Sequence, residues 1–127
     1  MTDSDRLELM NVTEVARRCQ DETQRFYRRE PHDDHPCLEL FRRALTLKNH
    51  FAWEAICKTY NNQVRGWIRR SGHYESLDHP LEELVAMSFE RFWQATFRQV
   101  AYDAFHSLEA ILSYLHACCT SVIIDLL

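Results

Sequence analysis

Apolar residues recur at helical spacing along most of the chain. Val12, Val15, Ala16, Cys19, Thr23, Phe26 and Tyr27 repeat at steps of three and four, which predicts one amphipathic helix from Val12 to Arg29. Asn11 with Glu14 three positions later makes a capping-box arrangement at its start, and Pro31 follows its last turn. The polar stretch His32-Asp33-Asp34-His35-Pro36 reads as a linker. A short helix is expected from Leu38 to Leu47, then a break at Asn49 or His50, then a long helix from Ala52 to Arg70. In that long helix Trp53, Ile56, Cys57, Tyr60, Val64, Trp67 and Ile68 form the apolar stripe, and Lys58, Arg65 and Arg69 share a different, basic face.

Ser71-Gly72 ends this helix, because glycine takes the left-handed turn at a helix C-terminus at least cost. Pro80 suits the first turn of the next helix, where Leu81, Leu84, Val85, Phe89, Phe92 and Trp93 point to the core as far as Gln94. Its opposite face carries Glu83, Met87, Glu90 and Gln94, so a methionine sits among charges on the outer side. Phe97 to His106 lacks helical period and reads as a loop rich in aromatics. Ser107 is a suitable N-cap for a final helix patterned by Leu108, Ile111, Leu112, Leu115, Cys118, Cys119, Val122, Ile123 and Leu126. No helix-stop signal follows it, which reads as a piece of something longer or as an apolar end that packs in a partner. The expected fold class is all-α: one compact bundle of four to five helices, with residues 1–36 as an additional N-terminal helix and linker and 37–127 as the main helical domain. Its core is expected to hold Trp53, Ile56, Tyr60, Val64, Trp67, Leu84, Phe89, Trp93, Leu112, Leu115 and Val122.

Composition narrows the function. The chain has 127 residues, 46% of them hydrophobic, with two glycines and three prolines, which suits one helical core and leaves little turn material for an all-β fold. A net charge of -4 does not make the broad positive surface of a non-specific duplex binder, so any nucleic-acid contact has to be local. No run of about eighteen apolar residues marks a membrane span and the acidic start lacks a signal-peptide layout, so a cytoplasmic protein is expected. Five cysteines form no C-x-x-C pair, which reads as reduced, mostly buried thiols. His32, Asp33, Asp34, His35 and Cys37 are metal-ligand types close in sequence, but the flanking prolines make them a linker, and no metal or cofactor is expected. The histidines are scattered and the paired acids point in different directions on a helix, so catalysis has no candidate.

Two stretches are familiar in combination: Leu81-Glu82-Glu83-Leu84-Val85-Ala86-Met87-Ser88-Phe89-Glu90-Arg91-Phe92-Trp93, and Ser107-Leu108-Glu109-Ala110-Ile111-Leu112-Ser113-Tyr114-Leu115 running into Val122-Ile123-Ile124-Asp125-Leu126. They resemble region 2 of bacterial RNA polymerase sigma factors, especially the extracytoplasmic-function type. Phe51-Ala52-Trp53-Glu54-Ala55-Ile56 through Trp67-Ile68-Arg69-Arg70 is similar to the family's first conserved helix, and the likeness runs from about Cys37 to Leu127. The resemblance implies a cytoplasmic transcription initiation domain, not an enzyme. Its partners would be the clamp helices of the core polymerase large subunit, met by Glu83, Ala86, Met87, Glu90, Arg91 and Gln94.

The resemblance also implies that Phe97 to His106 captures a flipped base of the single-stranded minus-ten promoter element. Phe97, Tyr102, Phe105 and His106 would offer stacking surfaces and Arg98 a cation, with Lys58, Arg65 and Arg69 on phosphates. Some positions depart from the family pattern. Ala86-Met87 stands where Gln-Glu is common, Cys118-Cys119-Thr120-Ser121 replaces a basic or asparagine-rich stretch, and no second DNA-binding domain is present. An alternative follows: a sigma-like interaction bundle, for example one that binds an anti-sigma protein, without promoter reading.

Overall fold

The computed structural model describes residues 3–98 and 105–127, with side chains over 6–96 and from 105 onward. Among these the chain is all-helical. Six α-helices run in order: α1 Asp3–Leu9, α2 Val12–Tyr27, α3 His35–Leu45, α4 His50–Arg70, α5 Leu81–Arg98 and α6 Leu108–Leu126, with a 3-10 turn at Tyr74–Ser76. The starts of α2, α4 and α6 rest on side-chain caps. Asn11 accepts from Glu14 N at 2.9 Å, Asn49 from Ala52 N at 3.1 Å, and Ser107 from Ala110 N at 3.1 Å. Gly72, at φ 82°, sits just beyond α4, in the left-handed conformation expected of a glycine there.

Four expectations need correction. The bundle has more than four to five helices, because α1 forms as well. Its Leu7 is buried, and its last carbonyls, those of Leu7 and Glu8, accept from Arg43 Nη2 at 2.6 and 3.3 Å. Tertiary docking on α3, not local propensity, holds so short a helix. Secondly, His35 and Pro36 are not linker but the first turn of α3, where a proline with no N–H to lose fits well. Thirdly, Cys19 and Cys37 are not reduced thiols: α2 and α3 pack with these Cα atoms 4.5 Å apart, and the two form a disulfide. Fourthly, α5 continues through Phe97 and Arg98, which therefore belong to a helix, and residues 99–104 of the expected loop lie outside the described residues.

The core runs through all the helices from α2 on. Ile56, Tyr60, Val64, Leu84, Phe89, Leu112, Leu115 and Val122 are buried as expected, whereas Trp53, Trp67 and Trp93 are only partly buried and cover its edges. Rings of that size with a polar N–H fit better at a boundary than at a packed centre. Tyr60 is 1% exposed. Its hydroxyl lies 2.9 Å from Thr23 Oγ1, which itself donates to the Cys19 carbonyl at 2.8 Å, so Tyr60 is the donor to Thr23. Burial pushes the Tyr60 phenol well above its ordinary pKa. By length and composition α6 is apolar enough to cross a membrane, and in this fold its Leu108, Ile111, Leu115, Cys119 and Val122 side are buried in the bundle.

A buried ion pair within α3 holds the Arg43 guanidinium that reaches the α1 carbonyls. Glu39 accepts from Arg43 Nε at 2.6 Å and from Arg42 Nε and Nη2 at 2.9 and 3.0 Å. Burial raises the Glu39 pKa, but the two guanidinium groups together outweigh it and hold the carboxyl below its ordinary value of 4.5. A depressed carboxylate contributes stability that is present above the unfolded-state value and lost as pH falls through the folded one. Glu39→Gln should therefore cost about 3 kcal/mol at pH 7, since Arg43 stays buried with only carbonyl partners. In urea titrations the variant should also lose less stability than the parent on acidification below about pH 4.5. A variant with the parent's acid sensitivity would remove Glu39 from this role.

Candidate docking face and aromatic end

Helix α5 starts on the Pro80 carbonyl, which accepts from Glu83 N at 3.1 Å and Leu84 N at 3.2 Å. Its inward side, Leu84, Val85, Ser88, Phe89, Phe92 and Thr96, is buried. The two hydroxyls on that side donate to carbonyls one turn back, Ser88 to Leu84 at 2.9 Å and Thr96 to Phe92 at 2.8 Å, so neither is stranded in the core. This fixes which residues face out. Ala86, Met87, Glu90, Arg91 and Gln94 line one shallow depression of about 440 Å³, and Glu83 is exposed one turn earlier. Five of the six residues expected to dock a partner thus share one surface.

The residues differ in what they can offer. Met87 is half-buried and packs on the core, so it forms an apolar floor and not a projecting knob. Glu90 accepts from Gln94 Nε2 at 3.0 Å. Arg91 is already engaged: it donates to Asp125 Oδ2 at 2.6 Å and Ser121 Oγ at 2.8 Å, clamping α5 to α6. A second depression of about 360 Å³ shares Ala86 and Glu90 with the first and extends between α5 and α4 over Trp53, Cys57, Val85 and Phe89. Burial pushes the Cys57 thiol up to about 11, so this wall is not a reactive thiolate. The combined face has an apolar floor and an acidic rim of Glu82, Glu83 and Glu90.

The aromatic end is built around Phe92. Its ring lies 5.9 Å from Phe41, 6.3 Å from Trp53, 6.3 Å from Phe105 and 5.7 Å from Tyr114. Phe105 stacks nearly parallel to Phe92 and meets Tyr114 at 5.6 Å, so it is half-buried packing as much as exposed surface. His106 is exposed. Phe97 and Arg98 occupy the last turn of α5, while their side chains, like Tyr102 as a whole, lie outside the described residues.

Of the expected phosphate contacts, Lys58 and Arg69 are exposed, but Arg65 is held by Glu82 at 2.9 Å. The hydrogen bond from Arg65 lowers the Glu82 pKa. Near the start of α3, His32 sits 2.8 Å from Asp34 and His35 2.7 Å from Asp33, and Cys37 is in the disulfide. Among the described residues no three His, Cys, Asp or Glu side chains come together as metal ligands.

Sequence reasoning missed one arrangement. Trp67 on α4 and His116 on α6 stack with centroids 4.5 Å apart and planes 11° from parallel. The two residues are 49 positions apart, by subtraction, and only the tertiary fold brings them together. No protein-family model, no curated protein and no solved structure matches the chain.

The different burial of Phe92 and Phe105 has a measurable consequence. Phe92→Ala should lower unfolding stability by about 3–5 kcal/mol, the cost of a large void in a packed core. Phe105→Ala should cost about 1–2 kcal/mol, because its ring is only partly buried at the edge of the core. Equal losses in denaturant titrations would contradict this placement of the two rings.

Proposed function

We propose that this chain is a sigma region 2-like transcription initiation domain that works in the cytoplasm, docks on the clamp helices of core RNA polymerase through the outward face of α5, and helps open and read the minus-ten element. The observation that carries the reading is the gathering of Ala86, Met87, Glu90, Arg91 and Gln94 around one depression with an apolar floor. Docking surfaces commonly combine a pliable apolar centre with a polar rim that excludes water. The acidic rim suits a basic helix on the partner. Phe105 and His106, next to Tyr114, supply stacking surfaces at the end where a flipped base would be held, and Lys58 and Arg69 remain for phosphates.

A second reading is a sigma-like interaction bundle that binds an anti-sigma protein and does not read promoters. It is favoured by the spent cations and rings: Arg65 is paired with Glu82, Arg91 with Asp125, and Phe105 is packed on Phe92. Capture of core polymerase with binding of a single-stranded minus-ten-like oligonucleotide supports the first reading. Polymerase capture without oligonucleotide binding points to a polymerase-docking domain that has lost promoter reading, and binding to neither supports the second reading.

Met87→Glu tests the face itself. The added charge should weaken capture of core polymerase by at least about tenfold, equivalent to 1.4 kcal/mol. The variant should unfold as cooperatively as the parent with a loss of about 1 kcal/mol. Unchanged capture would remove Met87 from the contact.

A further inference from the structure

Away from the α5 face, the end of α4 and the middle of α6 enclose a cleft of about 390 Å³. Small-molecule sites begin at about 300 Å³ and combine apolar walls with a few placed polar groups. Here the Trp67–His116 stack forms an aromatic wall, Cys119 and Ile123 form an apolar floor, and Arg70 and His73 stand at the mouth. Neither Arg70 nor His73 has an ion-pair partner among the described residues.

Two features shape the charge at this end of α4. The Arg70 guanidinium lies back over Gly66, where an added Cβ would come within 2.8 Å of Nη1, so the missing side chain makes room for it. The Ile68 carbonyl, which would otherwise present partial negative charge at the end of α4, is occupied by Ser71 N at 3.2 Å and Ser71 Oγ at 2.7 Å. The remaining helix-end carbonyls oppose an anion by a fraction of a charge, while Arg69 and Arg70 each bring a full positive charge.

We infer that this cleft binds a small planar aromatic anion, with its ring beside the Trp67–His116 stack and its charge against Arg70 and His73. Flat rings gain from an aromatic wall, and guanidinium groups hold carboxylates or phosphates by paired hydrogen bonds. The site does not depend on the α5 docking face and stands or falls separately from it.

The test is a chemical-shift titration of ¹⁵N-labelled protein with 1-naphthoate and with 1-naphthyl phosphate, using 1-naphthamide as the uncharged control. Saturable shifts of the Trp67 indole N–H are expected with at least one anion. The tighter of the two anions says whether the natural ligand carries a carboxylate or a phosphate. Arg70→Gln, a change at an exposed position, should weaken the anion about fivefold, the size of one solvent-exposed ion pair, and leave 1-naphthamide unchanged. No saturable shift with either anion up to about 5 mM, a binding free energy near -3 kcal/mol, would overturn the proposal. So would 1-naphthamide binding as tightly as 1-naphthoate.

Discussion

Phe41, fully buried on α3, has its ring 6.0 Å from Tyr60 of α4 and 5.9 Å from Phe92 of α5. Through Tyr60 it meets the Thr23 hydroxyl and the disulfide that joins α2 to α3. Through Phe92 it meets Trp53, Phe105 and Tyr114, and so the base of α6. One aromatic contact therefore couples the N-terminal helices to the pair that carries the candidate docking face. Because core rings are packed at crystal-like density, a shift of Phe92 would have to be matched by Phe41 and Tyr60. The outward angle of α5 is thus set from inside the bundle, and the Arg91 clamp to Asp125 trims it at the surface, where an exposed pair is worth at most about 1 kcal/mol.

Charge is distributed to match this division. Buried charges are paired within the fold, as in Glu39 with Arg43 and Glu22 with Arg25, and they hold α1 to α3 and the chain after α2 to α2 itself. On the surface, acids collect around the apolar floor of α5, while Arg69 and Arg70 collect at the far end of α4. The ligands proposed for the two ends differ accordingly: a basic helix for the first and a small anion for the second. The net charge of -4 is therefore a poor guide to what the chain can bind, since the partition between faces matters more than the sum.

Much of the helical plan was legible in the sequence because it is local. The Asn11 and Ser107 caps, the Gly72 stop and the outward stripe of α5 follow from spacing alone, and each occurs in the fold. What was not legible depends on partners distant in sequence. Helix α1 needs Arg43, the Cys19–Cys37 pair needs α2 against α3, and the Trp67–His116 wall needs α4 against α6. Arg65 and Arg91 looked available for ligands because the sequence does not reveal that Glu82 and Asp125 will reach them. The three tryptophans were assigned to the centre by their apolar bulk, but helices of this length place them where the stripe meets solvent.

The central claim is that the outward face of α5 meets the polymerase, and site-specific photo-crosslinking tests it most directly. A benzophenone amino acid placed at Ala86, exposed and common to both depressions, would be irradiated in the presence of purified bacterial core RNA polymerase. The expected result is a crosslink to the large subunit that carries the clamp helices, with a control probe at exposed Gln20 on α2 giving none. A crosslink from Gln20 but not from Ala86, or from neither, would contradict the assignment of this face.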